Sequence, residues 1–525
     1  MSTLEHWSSV APVTAWATPL LFALMAVFAP LRAGLASGGA LGGALLFTLS
    51  TGLSRGAAGG AGLGVRIDAV TCVMLILVTA LGAIVVRYSR TYLHGDPGLG
   101  RYLRWLLLTL SAVTTLVIAN NLAVVALGWT ATSLVLHQLL TFFGDRTAAL
   151  VAAHKKFLVS RLADAFLLAC LGLIYRNAGS LEFDHIAAWA SAHPELSPSM
   201  HVAVVLLVIV VALKSAQLPF HGWLTQVMEA PTPVSALLHA GVVNIGGFVL
   251  IRLSPLMAHA GPAQLLLVVI GLSSTIIAAL VMTTRVSVKV ALAWSTIAQM
   301  GFMLVQCGLG LWHLALLHLV AHSLYKAHAF LSAGTAVHSW LLQSLTLRPA
   351  SPSPARLAGV VFGTLGIAAI GFAAFRQTPF AASGLDDFSG PVLTLLVALA
   401  MVPLLVRASG RAVAAVAARI IGVVLLFIGW HAAAAQLMPV PLAASNTFAW
   451  GLVCAGFVGL FVTKATMQLF PAGRLARASY PWLFAGLYLD ERFTRVTFRI
   501  WPPRLQRPST HPRPLHTPET LEAHT

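Results

Sequence analysis

Residues 201–219 read HVAVVLLVIVVALKSAQLP. Every side chain from 202 to 213 is apolar, then Lys214 arrives, and Pro219 follows. A lysine inside a membrane span costs about 2.5–3.5 kcal/mol on insertion scales, so its presence needs a physical reason. Pro219 lacks a backbone N–H and clashes with the turn before it, which predicts a broken helix between Lys214 and Pro219. A charge beside a helix break can face a wet cavity, a device transporters use repeatedly. Lysine exchanges protons readily when buried, so Lys214 is a candidate proton carrier.

The rest of the chain supplies the membrane. Of 525 residues, 58% are hydrophobic and 9% charged, and the mean hydropathy is +0.86. An average soluble protein is about 25% charged. No soluble core hides this much apolar surface, so lipid must cover it. Backbone groups in hydrocarbon must be satisfied internally, which leaves helices or a closed barrel. The apolar runs are about 20 residues long without strict alternation, which selects helices. The expected fold class is an all-α polytopic membrane protein with about 15 transmembrane helices. The set includes runs at 38–54, 201–229, 232–253, 312–338, 391–408 and 416–438. The run that starts near Pro12 has Glu5 before it and no Lys or Arg, so it reads as the first membrane helix and not as a signal peptide.

The net charge is +17, from 32 basic and 15 acidic residues. The basic groups sit in short loops between apolar runs and in the tail, which needs no nucleic acid. Arg87, Arg90, Arg101, Arg104, Arg146, Lys155, Lys156, Arg285, Lys289, Arg348, Arg356, Arg407, Arg411 and Arg419 fall on one side by span count. Glu182, Asp184, Glu195, Asp386 and Asp387 fall on the other. The positive-inside rule puts the basic side in the cytoplasm, with the N-terminus periplasmic and the C-terminus cytoplasmic in a bacterial inner membrane. From Tyr480 to Trp501 aromatics mix with Arg492, Arg495 and Arg499 at helical spacing, as in an interfacial helix. After Pro502 the composition is that of a disordered tail. Cys72, Cys170, Cys307 and Cys454 are far apart within apolar runs and read as small buried side chains.

Further ionisable groups lie within the spans. His318, His322 and Lys326 repeat at steps of four, which stacks them on one helix face about 6 Å apart. They form a possible relay. A zinc site is the rival reading, weakened by the lack of acidic or Cys ligands nearby in sequence. His328 and His338 lie off this row and read as packing or loop residues. His239 follows Pro231-Thr-Pro233, a helix start, by about two turns. Lys155, Arg161 and Asp164 form another group, in which Arg161 and Asp164 are spaced for an internal ion pair. Thr130, Ser133 and His137 share one face of their span, either lining a polar path or making a satisfied stripe between helices.

These residues resemble a known group. Lys214-Ser-Ala-Gln-Leu-Pro219 through Pro231-Thr-Pro-Val-Ser-Ala-Leu-Leu-His239 is similar to the signature of antiporter-like proton-conducting subunits, such as NuoL of respiratory complex I and the large Mrp antiporter subunit. Leu127-Gly-Trp129, Arg161-Leu-Ala-Asp164, Leu292-Ala-Trp-Ser-Thr296, Gln299-Met-Gly301 and His318-x-x-x-His322-x-x-x-Lys326 match as well. The resemblance covers residues 65–340. It implies two inverted five-helix repeats, each with a broken helix, and a hydrated midplane axis through Lys214, His239, His318, His322 and Lys326. Thr130, His137, Lys155, Arg161 and Asp164 would support it. Two departures are informative. Where those relatives carry a glutamate after Gly-Trp to pair with the central lysine, this chain has Thr130, so Lys214 is expected to lack its partner. The second broken helix, at residues 370–379, offers Arg376 and no lysine.

The Gly-Trp-Thr sequence, the short chain and the tail from Tyr480 to Pro502 resemble the DabB family, the membrane subunit of the Dab inorganic-carbon transporter. That resemblance implies a cation-conducting subunit, with the proton as the expected ion. It would drive vectorial CO2 hydration in a DabA-like large cytoplasmic partner that holds zinc at a carbonic-anhydrase-like site. The chain itself would be no enzyme and would hold no metal or other cofactor. The alternatives are a proton-translocating subunit of a complex I-like or Mrp-type Na+/H+ antiporter complex, and an assembly protein that has lost conduction. The expected divisions are N-terminal helices at 1–100, a first bundle at 101–256, a second at 257–410, C-terminal helices at 411–470 and a cytoplasmic segment with a tail at 471–525.

Overall fold

The computed structural model describes residues 2–54, 61–62, 64–335, 353–376, 389–407 and 446–502, with positions 415, 418, 422 and 430. The expected span at 416–438, Asp386 and Asp387, His338, Arg348 and the tail beyond Pro502 lie outside the described residues, apart from those isolated positions. The chain is an all-α membrane protein. Among the described residues, ten helices are long and apolar enough to cross a membrane. A short antiparallel pair, β1 (Ala61–Gly62) with β2 (Val65–Arg66), is the only sheet there.

The helices follow in order α1 (Ser2–Phe28), α2 (Ala33–Ser54), α3 (Ala69–Tyr92), α4 (Leu99–Ile118), α5 (Leu122–Leu140) and α6 (Thr147–Ala178). A short α7 (Phe183–Ala192) covers one end of the bundle. Then come α8 (Pro198–Lys214) and α9 (Gly222–Gln226), which split the expected 201–229 run. The expected continuous 232–253 span is also divided, into α10 (Thr232–Ala240) and α11 (Ile245–Arg252), with α12 (Ser254–Met257) after it. The helices α13 (Gly261–Val281), α14 (Val288–Gly308) and α15 (Trp312–Leu331) complete the central bundle. Beyond it lie α16 (Pro354–Arg376), α17 (Ser389–Arg407) and α18 (Thr447–Leu469).

Small residues let these helices approach. A Cβ on Gly271 would strike the carbonyl of Gly301, and one on Gly301 would strike the carbonyl of Gly271. The backbones of α13 and α14 therefore meet directly, which is how helices associate where lipid removes the hydrophobic drive. Gly128 does the same for α5 against α4, where a Cβ would lie 3.2 Å from the Ala112 carbonyl.

The break after α8 has a visible cause. The Gln217 amide donates to the Ala212 carbonyl at 2.9 Å, and Ala216 adopts a left-handed φ of 53°. This is the closing geometry that glycine ordinarily supplies. Ala216 is held there by its surroundings. The Leu218 amide donates to Ser274 Oγ on α13 at 3.2 Å, and Gly246 of α11 leaves room for Ser215. The second break is centred on Gly241, and Asn244 bridges it. Its amide nitrogen donates to the Ala240 carbonyl at 2.9 Å and to Ser323 Oγ of α15 at 2.7 Å.

The tail folds back onto the bundle. It comprises α19 (Arg474–Phe484) and α20 (Leu489–Ile500), joined by a turn in which Gly486, Leu487 and Tyr488 all have positive φ. Arg285 donates to the Leu483 carbonyl at 2.9 Å. Lys155 Nζ, fully buried, donates to Asp490 Oδ2 at 2.7 Å and to Gln226 Oε1 at 2.9 Å. Gln226 Nε2 closes the triangle by donating to Asp490 Oδ2 at 2.8 Å. Arg492, Arg495 and Arg499 remain exposed on the outer side of α20.

Removing one partner of a buried ion pair costs about 3–5 kcal/mol because the other charge is left uncompensated. Asp490→Asn should therefore free the tail, seen as a loss of hydrogen-exchange protection over Leu489–Ile500 while α13 and α14 stay protected. Gly222→Ala should act alike, since its new Cβ would overlap the Asp490 carboxylate.

Candidate functional site: two buried ionisable clusters

The first cluster forms where α5, α6 and α8 meet. Lys214 Nζ donates to Asp164 Oδ1 at 2.6 Å. Arg161 Nη2 lies 2.8 Å from Asp164 Oδ2, so one carboxylate serves two cations. Thr130 Oγ1 donates to Asp164 Oδ1 at 3.1 Å. The Lys214 ammonium also sits 4.7 Å from the centre of the Trp129 ring, a cation–π contact. The Gly128-Trp129-Thr130 sequence thus supplies a close approach, an aromatic face and a hydroxyl in one turn. The expectation that Lys214 lacks a partner is corrected: the counter-charge comes from Asp164 on the neighbouring helix. Thr130, where relatives carry glutamate, bonds to that same carboxylate.

The second cluster lies between α10, α14 and α15. Lys326 is fully buried and donates to the Leu292 carbonyl at 2.9 Å and to Ser295 Oγ at 2.8 Å. One turn away His322 is buried, and neither ring nitrogen has a hydrogen-bond partner. His318 stands 5.9 Å from His322 between ring centres, and its Nδ1 meets Gln306 Oε1 at 3.0 Å. His239 stacks on Phe330 at 4.4 Å and contacts Thr296 Oγ1 at 3.1 Å, with its Nε2 unpartnered. His239, His322 and Lys326 lie within mutual electrostatic reach. Buried polar nitrogens without partners are costly, and a run of them is a place where water inserts.

Five sequence-predicted residues therefore fall into two groups. His239, His318, His322 and Lys326 come together. Lys214 joins Thr130, Arg161 and Asp164. His239 makes no hydrogen bond or ring contact to Lys214 among the described residues; its own contacts are Thr296 and Phe330. Lys155 turns away from Arg161 and Asp164 toward the tail. His137 lies at the tail end of α5, its ring 6.3 Å from His154 and 6.1 Å from Trp501. The side chain of Arg376 lies outside the described residues. His328 is exposed in the last turn of α15, so it is neither a packed residue nor a loop residue. No group of metal-ligating side chains occurs among the described residues.

Sequence reasoning missed Lys156. It is buried in α6, not in a loop, and donates to the Ser133 carbonyl at 2.6 Å and to Ser133 Oγ at 2.9 Å. Its place four and eight residues before Ser160 and Asp164 was the available signal. At the face away from the tail, a charge cluster clamps α11 to the start of α3. Arg252 donates to Asp68 and Thr71, while Arg66 pairs with Asp68 at 3.0 Å and with Asp184 at 3.2 Å. Burial would raise the Asp68 carboxyl, but Arg252, the Thr71 amide and Arg66 hold it well below the usual carboxylate range.

Fold and clusters define an antiporter-like membrane subunit. A family model described as NADH:quinone oxidoreductase/Mrp antiporter, TM, matches residues 119–350, and one for the complex I chain 5 N-terminus matches 59–103. The Mrp complex from Dietzia sp. has a chain of similar structure, with a TM-score of 0.58 and 24% identity over 95% of this chain and 61% of that one. Subunit L of the NADH-quinone oxidoreductase of Mycobacterium tuberculosis is 34% identical over 53% of this chain and 44% of its own.

The chain belongs to the DabB family of inorganic carbon transporter subunits. It is 40% identical to the probable inorganic carbon transporter subunit DabB of Hydrogenovibrio crunogenus over 85% of both chains. It is 41% identical to DabB2 of Halothiobacillus neapolitanus over 85% of this chain and 82% of that one.

Asp164→Asn strips Lys214 and Arg161 of their shared counter-charge. The thermal midpoint of the protein in lipid nanodiscs should drop by several degrees, and Asp164→Glu should recover most of it. Equal midpoints for Asp164→Asn and the wild type would show that the lysine has another partner.

Proposed function

We propose that this chain is the cation-conducting subunit of an energy-coupled inorganic-carbon transporter, with the proton as the ion moved. Its setting is a bacterial inner membrane, with the N-terminus periplasmic and the tail cytoplasmic. The observation that carries the reading is a buried lysine, Lys214, at the end of a broken helix with its counter-charge on a different helix. The His239, His318, His322 and Lys326 cluster supports it. These are buried titratable groups with unpartnered ring nitrogens, a suitable lining for water and mobile protons.

The partner in this reading is a large cytoplasmic DabA-like subunit, which holds zinc and hydrates CO2 at a carbonic-anhydrase-like site. The coupling is electrical. One proton crossing the membrane releases about 2.3 kcal/mol per 100 mV, enough to drive a near-balanced hydration in one direction. Lys214 and Asp164 act as a switchable pair. When a proton reaches the carboxylate, the attraction holding the lysine weakens and the ammonium is free to release its own.

A complex I-like or Mrp-type antiporter role is the second reading, favoured by the match to that family's transmembrane region. Thr130 in the glutamate position counts against it.

Lys214→Ala, expressed with the partner in a strain lacking carbonic anhydrase, should abolish growth in air, which depends on accumulated bicarbonate. Wild-type growth would remove Lys214 from the mechanism.

A further inference from the structure

The seam between α5 and α6 carries a ladder that the Lys214 pair uses only at one end. Thr130, Ser133 and His137 lie along one face of α5, and Asp164, Ser160 and Lys156 lie along the facing side of α6, each step rising about 6 Å or less. The helices are antiparallel, and the long Lys156 side chain reaches past Ser160's level to Ser133. Thr130 bonds Asp164 at 3.1 Å, and Ser133 bonds Lys156 at 2.9 Å. His137 stacks near His154 at 6.3 Å. The tail closes the last rung: Trp501 stacks on His154 at 4.0 Å, and its carbonyl lies 3.3 Å from His154 Nδ1.

Lys156 is the unusual rung. It is 3% exposed, yet both groups it meets are neutral oxygens of Ser133. The charges that reach it are Lys214 on α8 and Arg161 and Asp164 on α6, and on α5 it faces His137. The oxygens of Asp164 are already engaged by Lys214 and Arg161, so Lys156 has no counter-charge of its own. A buried ammonium left without a counter-charge is poorly suited to be a structural anchor and well suited to exchange a proton. His137 Nδ1 is likewise buried without a hydrogen-bond partner.

We propose that Lys156 is a proton-relay residue connecting the histidine pair under the tail to the Lys214–Asp164 pair. The proposal rests on the ion-conducting reading and adds to it a route and a mouth. A proton leaves a ring nitrogen of protonated His137, where an N–H bond breaks. It passes through water beside Ser133, and an N–H bond forms on the neutral Lys156 amine. The resulting ammonium then releases one proton toward the Asp164 carboxylate, forming an O–H bond there and restoring the amine. Each step moves one proton and no electrons.

The test is proton flux into liposomes containing the full chain with its co-purified partner, followed with a pH-sensitive dye. Lys156→Met keeps length and removes the titratable amine. Flux should fall at least tenfold, with elution profile and thermal midpoint unchanged. Lys156→Arg keeps the charge but holds its proton, and should be as defective. Lys156→His should restore part of the flux, with its optimum moved toward acid. Should Lys156→Met fail to fold, Ser133→Ala takes its place, since it leaves the lysine in position while removing one of its two partners. It should lower flux severalfold, and an unchanged flux in Ser133→Ala and Lys156→Arg together would overturn the relay. Wild-type flux in Lys156→Met would overturn it alone. A wild-type complex that passes no protons would overturn the parent reading along with it.

Discussion

One carboxylate, Asp164, holds together the part of this molecule on which its chemistry depends. It meets Lys214 across the gap between α6 and α8 and Arg161 within its own helix. One carboxylate thus serves two cations, a buried lysine and an arginine whose side chain stays partly exposed. That condition is expensive to maintain. The surrounding fold bears the cost through close-packed glycines, a left-handed Ala216 and a helix break tied to α13 by Ser274. Such strain persists where the neighbouring structure over-determines it.

The two ionisable clusters are organised differently. At Lys214 the lysine faces a carboxylate and an aromatic ring. At Lys326 it faces a carbonyl, a hydroxyl and, at 5.7 Å, the Tyr325 ring, with no carboxylate and with histidines beyond. The first arrangement gives the lysine a counter-charge, and the second leaves it without one among the described residues. Buried ion pairs add little net stability once desolvation is counted. Breaking one partner of such a pair is costly all the same, because the other charge is left buried and uncompensated.

Much of this was legible in the sequence. The apolar runs gave the class of fold, and Lys214 before Pro219 marked the first break, because proline acts locally. The row His318, His322 and Lys326 was readable because helical period alone aligns it. What stayed hidden depends on which helices face each other. Asp164 looked like the partner of Arg161 because that contact lies within one helix. Its second contact, to Lys214, spans 50 residues and needs the packed bundle. The break at Gly241 was missed since it carries no proline, only a glycine in an apolar run. Lys156 was read as flanking a loop beside Lys155, yet α6 begins at Thr147 and the two side chains point to different surroundings.

The seat of the tail has a consequence for biogenesis. Lys155 and Asp490 are separated by 335 residues, so their contact cannot form until nearly all intervening helices have been inserted and packed. Contacts of such sequence separation are slow to form because chain closure must precede any gain. The same ordering puts Trp501 over His154 only after the bundle is assembled. A nascent chain therefore carries its ionisable seam uncovered, and Trp501 comes to lie against His154 only after the helices before it have packed. The latch is therefore among the last contacts of the fold to close, because its two halves are separated in sequence by most of the packed bundle.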